Sequence, residues 1–213
     1  MDKIVVLDFG GQYCHLISRR IRELNVYCEI LPGNVKVEIL EEMIKNENLK
    51  GIILSGGAMS VYDENSIKCD KEIFNLNIPI LGICYGHQLI AYLNNGLVEK
   101  GEKGEFGITK CKILKESLLF SGIDNEFNVW MSHYDIVKKI PDEFEIIAET
   151  ENCKIAAFEN KNKKIFGVQF HPEVVHTENG IKILENFIKI TNSKREWRTE
   201  NLIQEIIQEA KEI

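Results

Sequence analysis

Positive charge is in short supply: 26 lysines and arginines face 33 aspartates and glutamates over 213 residues, for a net charge of -7. That balance excludes nucleic acid or an anionic membrane as the main partner, since both call for a basic surface. No C-x-x-C pair occurs, and the six cysteines and five histidines are scattered without zinc-site spacing, so no metal and no disulfide framework is expected. Long apolar runs are missing too. The first one, Ile4 to Leu7, is broken at once by Asp8, which predicts neither a signal peptide nor a spanning helix and points to a cytoplasmic protein with free thiols. There is no internal repeat and no low-complexity linker. What is present is ordinary for a folded protein: 44% hydrophobic and 28% charged residues exclude a disordered class and suit one sizeable α/β domain.

The hydrophobic pattern alternates in the first half. Strand-like runs at Lys3 to Leu7, Val26 to Leu31, Gly51 to Leu54 and Ile78 to Ile83 are separated by helical spacing over Tyr13 to Leu24, residues 36–46, Cys69 to Phe74 and Tyr85 to Leu93. Short turns between them predict an open, mostly parallel sheet with helices on both faces, and ligands gather at the carboxyl ends of such strands. From Gly104 onward the runs Ile108 to Leu114, Phe127 to Met131, Glu145 to Glu149, Ile155 to Phe158 and Ile165 to Gln169 predict an antiparallel or mixed extension, closed by a helix containing Ile181, Leu184 and Ile188. The domain then covers residues 1–192. The segment 193–213 opens on a capping-box pattern, Ser193 to Glu196, and carries Leu202, Ile203, Ile206, Ile207, Ala210 and Ile213 on one helical face, either packed on its own domain or leading to another.

The stretch Pro79-Ile80-Leu81-Gly82-Ile83-Cys84-Tyr85-Gly86-His87-Gln88 carries the chemistry. A strand runs directly into a helix with a cysteine at the join, and Gly82 and Gly86 stand two residues to either side, the thiol counterpart of a nucleophile elbow. At a helix N-terminus the unpaired N–H groups and the dipole favour the thiolate. Such a nucleophile needs a base and a group to orient the base. His171, in Gln169-Phe170-His171-Pro172-Glu173 at the end of an apolar strand, is the candidate base, and Glu173, two residues on, can reach back to its ring. The N–H of Tyr85, just after the nucleophile, and that of Gly57, on the loop after the third strand, are the candidate oxyanion donors. His87 follows the elbow on a helix and reads as a core histidine; His133 and Asp135 read as hydrogen-bonding residues of a loop.

Cys84, His171 and Glu173, within Gly-Ile-Cys-Tyr-Gly-His-Gln and Phe-His-Pro-Glu, resemble the triad of class I glutamine amidotransferases, whose sheet is flavodoxin-like. Ser55-Gly56-Gly57-x-x-Ser60-Val61-Tyr62, Trp130-Met131-Ser132-His133-x-Asp135 and His171-Pro172-Glu173-Val174-x-His176-Thr177-x-x-Gly180 are similar to the GMP synthase branch of that family. The resemblance implies hydrolysis of L-glutamine to glutamate and ammonia, and delivery of ammonia to an ATP pyrophosphatase (synthetase) domain or subunit that aminates XMP. It implies that Gln88 and the backbone around Ser132 and Tyr134 hold the substrate's amino and carboxylate groups, and that His133 and Asp135 face the partner domain and report its state. ATP and Mg belong, on this reading, to the partner, with no cofactor in this chain, and residues 193–213 lead towards it. Ala58 stands where many relatives have proline, and Tyr134 where glycine is frequent. Rival readings are a glutaminase of another pathway, a thiol hydrolase or peptidase, a non-catalytic regulatory subunit, and a phosphate cradle at Ser55 to Ser60, which would want aspartate in place of Met59.

Overall fold

A computed structural model describes residues 1–198 of the chain. The alternating first half folds as β1 (Lys3–Asp8), α1 (Cys14–Glu23), β2 (Tyr27–Pro32), α2 (Val37–Asn46), β3 (Leu49–Leu54), β4 (Ile80–Ile83) and α3 (Tyr85–Leu93). The second half adds β5 (Leu97–Ile113), β6 (Glu126–Lys139), β7 (Glu145–Glu149), β8 (Ala157–Asn160), β9 (Ile165–Val168) and α4 (Gly180–Thr191). Among the described residues the strands form one nine-stranded sheet in the order β2-β1-β3-β4-β9-β8-β7-β5-β6. The first four pairings, out to β9, are parallel and the remainder antiparallel. The open α/β sheet with a mixed extension follows from the pattern of runs.

Both faces of the parallel half are covered, which is why its strands read as continuous apolar runs rather than alternating ones. Ile4 and Val6 pack with Ile17 and Ile21 of α1 and Phe187 of α4, whereas Val5 and Leu7 pack with Leu40 of α2 and Leu89 of α3. Asparagines close the turns. Asn25, Asn48, Asn77, Asn95 and Asn192 all adopt positive φ, between 55° and 68°, a conformation that asparagine tolerates better than most residues.

Three expectations change. The helix expected around Cys69 to Phe74 is a short 3-10 turn at Lys71–Asn75, capped by the Asp70 side chain on the Glu72 N–H. The runs at Ile108 and Phe127 belong to far longer strands of 17 and 14 residues, paired as a ribbon with a register break between Lys100 and Glu105. His133 and Asp135 therefore lie in β6, not in a loop. Charged residues and glycines along this exposed ribbon dilute the β signal that the core strands carry. At the other end, residues 193–198 form no helix, so the expected capping box is not used there. They lie back on the domain: Trp197 is buried and its N–H donates to Asn25 O at 3.1 Å. The apolar positions from Leu202 to Ile213 lie outside the described residues.

Candidate active site

β4 ends and α3 begins at Cys84, whose φ of 53° and ψ of -105° place a non-glycine residue in a strained conformation. The elbow thus puts its backbone strain on the cysteine. The flanking glycines serve close approach instead: a Cβ on Gly86 would come within 2.3 Å of Leu54 O, and one on Gly82 within 2.5 Å of Gly86 O. The turn is held by Cys84 N–H donating to Val168 O at 2.9 Å and Gln88 N–H to Cys84 O at 3.1 Å. Tyr85 is the first residue of α3, so its N–H belongs to the group that a helix leaves without an internal acceptor.

β9 is the neighbour of β4, so its carboxyl end delivers His171 beside the elbow. Glu173 Oε1 lies 2.7 Å from His171 Nδ1, and both side chains are buried. Burial opposes a charge on the imidazole, but the adjacent Cys84 and Glu173, through charge and hydrogen bonding, carry its pKa well above the ordinary value. The His-Pro-Glu turn is anchored from both sides. His171 N–H donates to Trp130 O at 3.0 Å, Thr177 Oγ1 donates to His171 O and itself accepts the Trp130 N–H, and Gly180 packs so tightly on Pro172 that a Cβ would come within 2.1 Å of its carbonyl oxygen. Two residues of the α1 region also touch this turn: Arg20 Nε donates to Glu173 O at 3.0 Å, and the Tyr13 ring stands edge-on to His171. Neither was legible in the sequence, because nothing local in a helix surface marks a contact about 150 residues away.

A cavity of about 780 Å³ is lined by Cys84, His171, Gln88, Ser132, Tyr134 and Asp135 together with the loop after β3. Gly56 and Gly57 lie against the centre, Gly56 by His171 and Gly57 between Phe9 and the Tyr85 ring. Ser132 turns its carbonyl towards Cys84 Sγ at 3.8 Å. Gln88 Nε2 donates to Asp135 O at 2.8 Å and to the buried Gln169 Oε1 at 3.1 Å. Gln169, two residues before His171, is a further contributor that the strand's alternation could have suggested. Tyr134 is exposed and packs edge-on against Phe106 at the cavity mouth. Gly57, Cys84, Gln88, Ser132, His133, Tyr134, Asp135 and His171 thus line one cavity, with Tyr85 and Glu173 buried next to them in the chain or by contact. His87, by contrast, is fully buried behind the elbow, stacked on Phe158, with burial pushing its pKa down to about 3.

Asp135 joins two walls of this cavity. Its carboxylate accepts hydrogen bonds from Ser60 Oγ and, at 3.0 Å, from Tyr62 OH. The Ser60 N–H is taken by Asp63 Oδ2 at 3.1 Å. Two carboxylates thus take the Ser60 hydroxyl and N–H and put negative charge beside this loop, which counts against the phosphate-cradle reading.

Among the described residues, Glu105, His133 and Cys153 bring three metal-capable atoms within 4.8 Å of one another. Their separation in sequence hid the cluster. Two of its three members are already engaged: Glu105 holds His133 Nε2 at 3.1 Å and Thr150 Oγ1 at 2.8 Å. Burial pushes the Cys153 thiol up to about 12, away from the thiolate that a metal requires. The residues fit a hydrogen-bonded network better than an ion.

Comparison with known proteins places this arrangement. The family model for glutamine amidotransferase class-I matches residues 5–190. The chain is 51% identical over 211 residues to the glutamine-hydrolyzing GMP synthase of Caldicellulosiruptor saccharolyticus, covering 99% of this chain and 40% of that protein. It is 49% identical to the corresponding Brachyspira hyodysenteriae enzyme, over 100% of this chain and 41% of that one. The chain thus spans about two fifths of the curated relatives it matches. Among solved structures, a GMP synthase subunit protein from Thermoplasma acidophilum superposes with a TM-score of 0.78 at 37% identity, over 92% of this chain and 96% of that one. A strained cysteine elbow at the carboxyl edge of a parallel sheet, matched over nearly its whole length, makes this chain a member of the class I glutamine amidotransferase family.

Proposed function

We propose that the chain hydrolyses L-glutamine with Cys84 as nucleophile, His171 as acid and base, and Glu173 as the group orienting His171. One observation carries this reading: Cys84 sits on a strained elbow against an imidazole whose other nitrogen is held by a buried carboxylate at 2.7 Å. The sulfur adds to the side-chain amide carbon, and the N–H groups of Tyr85 and Gly57 receive the oxyanion. His171 gives its proton to the leaving ammonia. The same residue then deprotonates a water that attacks the thioester, releasing glutamate and restoring the thiol.

With both Gln88 Nε2 hydrogens committed to Asp135 O and Gln169 Oε1, Gln88 Oε1 is the atom left to receive the substrate's α-ammonium, with the Ser132 and Tyr134 backbone beside it. Ammonia released to bulk water at neutral pH takes up a proton and ceases to be a nucleophile, so the product is useful only next to an acceptor. We assign that acceptor to an ATP pyrophosphatase (synthetase) domain or subunit that adenylates XMP and aminates it to GMP, with ATP and Mg bound there. The names of the relatives and the further three fifths of their length support this. Residues 1–192 are then the glutaminase and residues 193–213 the lead towards the partner, with His133 and Asp135 on its side. The six free cysteines suit a cytoplasmic location, and no helix among the described residues is long and apolar enough to cross a membrane.

Cys84→Ala, assayed with the synthetase part present, tests the proposal. Glutamine-dependent GMP formation falls to the detection limit while formation from added ammonium persists. Surviving glutamine hydrolysis in that variant would sink the assignment, and cleavage of peptides in preference to glutamine by the unaltered chain would favour a thiol peptidase.

A further inference from the structure

The cavity wall contains a second buried histidine–carboxylate pair, of which His133 lines the cavity. Glu105 and His133 stand directly opposite each other in the β5–β6 register, both on its buried face. His133 Nε2 is 3.1 Å from Glu105 Oε2, and its Nδ1 is 3.0 Å from Asp135 O. A carbonyl oxygen can only accept. Burial works against the Glu105 charge, but hydrogen bonds from His133 and Thr150 outweigh it and hold this carboxyl below the usual range. His133 Nδ1 therefore donates to the Asp135 carbonyl, while Nε2 pairs with the Glu105 carboxyl. The second Glu105 oxygen accepts from Thr150 Oγ1 at 2.8 Å, and Thr150 Oγ1 accepts the Cys153 N–H at 3.0 Å. A continuous chain of hydrogen bonds therefore runs from the turn between β7 and β8 to the backbone of Asp135.

That backbone borders the reacting centre. The Asp135 carbonyl that closes the chain also receives Gln88 Nε2 at 2.8 Å, and the Ser132 carbonyl, one residue before His133, faces Cys84 Sγ at 3.8 Å. Alternation along β6 leaves Ser132 and Tyr134 exposed and His133 buried, with all three in the cavity wall. The register break between Lys100 and Glu105 leaves the ribbon without regular cross-strand pairing just where this wall must keep its shape.

We infer that Glu105 is a positioning residue of the glutamine site, which through His133 sets the β6 backbone from Ser132 to Asp135 and with it the amide of Gln88. The inference rests on the glutaminase reading and deepens it. Glu105 touches no reacting atom; its effect is on the wall that holds the substrate.

Steady-state hydrolysis of glutamine, measured with the synthetase part present and alongside thermal melting, tests it. In Glu105→Met, of similar volume but unable to hold His133, KM for glutamine rises about tenfold while kcat stays within about threefold, as expected when binding common to ground and transition states is lost. Glu105→Gln can rebuild both bonds, accepting from Thr150 and donating to a neutral His133, and stays within about twofold of the wild type in KM. Thr150→Val, which keeps the pair but frees one Glu105 oxygen, raises KM about threefold and serves if Glu105→Met does not fold. A KM unchanged in Glu105→Met and Thr150→Val, a fall in melting temperature and kcat with KM constant, or a Glu105→Gln protein as impaired as Glu105→Met would each overturn the inference. Failure of the wild-type chain to hydrolyse glutamine removes the underlying glutaminase reading, and this inference with it. Normal wild-type turnover with an unmoved KM in the variants removes this inference alone.

Discussion

His171 with Glu173 and His133 with Glu105 are close to the same object: a buried imidazole held by a buried carboxylate, at 2.7 Å in one pair and 3.1 Å in the other. They differ in what the second ring nitrogen faces and in where the sheet puts them. His171 stands at the carboxyl end of a parallel strand with Cys84 as its other neighbour. His133 stands within an antiparallel ribbon, and its other nitrogen meets a backbone carbonyl. His171 can pass a proton to a reacting group, whereas both His133 ring nitrogens are engaged by Glu105 and the Asp135 carbonyl. The pair by itself does not make a catalyst; its open side does.

The same substitution in the two pairs is the sharpest way to break this comparison. Glu173→Gln leaves the shape of the turn but loses the carboxylate that stabilises an imidazolium and fixes its tautomer, and should lower kcat on the order of 10,000-fold. Glu105→Gln should leave kcat within about twofold. Comparable losses in the two variants, in steady-state assays with glutamine, would mean that the second pair takes part in proton transfer.

Protonation gives a further test of the first pair. The His171 pKa is raised despite burial because Cys84 and Glu173 favour the charged ring. A raised value in the folded state contributes stability that is fully present below the unfolded value of about 6.5 and is lost as pH rises through the folded value. Cys84→Ala removes one of the raising partners, so burial gains weight and the midpoint falls. An NMR titration of the His171 ring should therefore show a lower midpoint in Cys84→Ala than in the wild type, with no displacement in Glu105→Gln. An equal or higher midpoint in Cys84→Ala would contradict the assigned contact.

Legibility follows the same division. The parallel half could be read because its strands are continuous apolar runs, and because Gly82 and Gly86 around Cys84 answer a local steric need that one stretch of chain displays. His171 and Glu173 were legible because two residues suffice to write the pair. The Glu105–His133 pair spans two strands, and the Lys- and Glu-rich ribbon that aligns it resembles a solvated loop until its register is known. The thiols divide likewise. Cys14, Cys28, Cys69, Cys111 and Cys153 are pushed up to about 12, mainly by burial, while Cys84 stands on the elbow beside His171, which composition cannot show.

Glycines beside the two pairs give a smaller contrast. An added methyl at Gly86 runs into Leu54 O at 2.3 Å and Leu54 Cβ at 2.7 Å, backbone and core that cannot withdraw. Gly86→Ala should cost about 3 kcal/mol or more in chemical denaturation. At Gly104, next to Glu105, the same methyl meets the Phe106 and Tyr134 rings at 2.6 to 2.9 Å, and both side chains are exposed and free to turn. Gly104→Ala should cost under about 1 kcal/mol. Equal costs would show that the ribbon is as rigidly packed as the elbow.

The smallest effect concerns the link between the two regions. Asp135 follows His133 by two residues, and its carboxylate accepts from Ser60 and Tyr62, which lie on the loop that carries Gly57. That link ties the loop proposed to receive the oxyanion, on the side of the first pair, to the wall that contains the second. Tyr62→Phe removes one hydrogen bond from a partly exposed ring, worth about 1 kcal/mol or less after exchange with water, so the loss should stay within about fivefold. Its kind matters more than its size. If the Tyr62 hydroxyl steadies the loop that receives the oxyanion, the interaction matters most in the transition state, and Tyr62→Phe lowers kcat with KM for glutamine unchanged. Glu105→Met does the reverse, raising KM with kcat nearly constant. Should Tyr62→Phe raise KM instead, Asp135 would be holding the substrate wall from both sides, and the loop and the ribbon would act as one body.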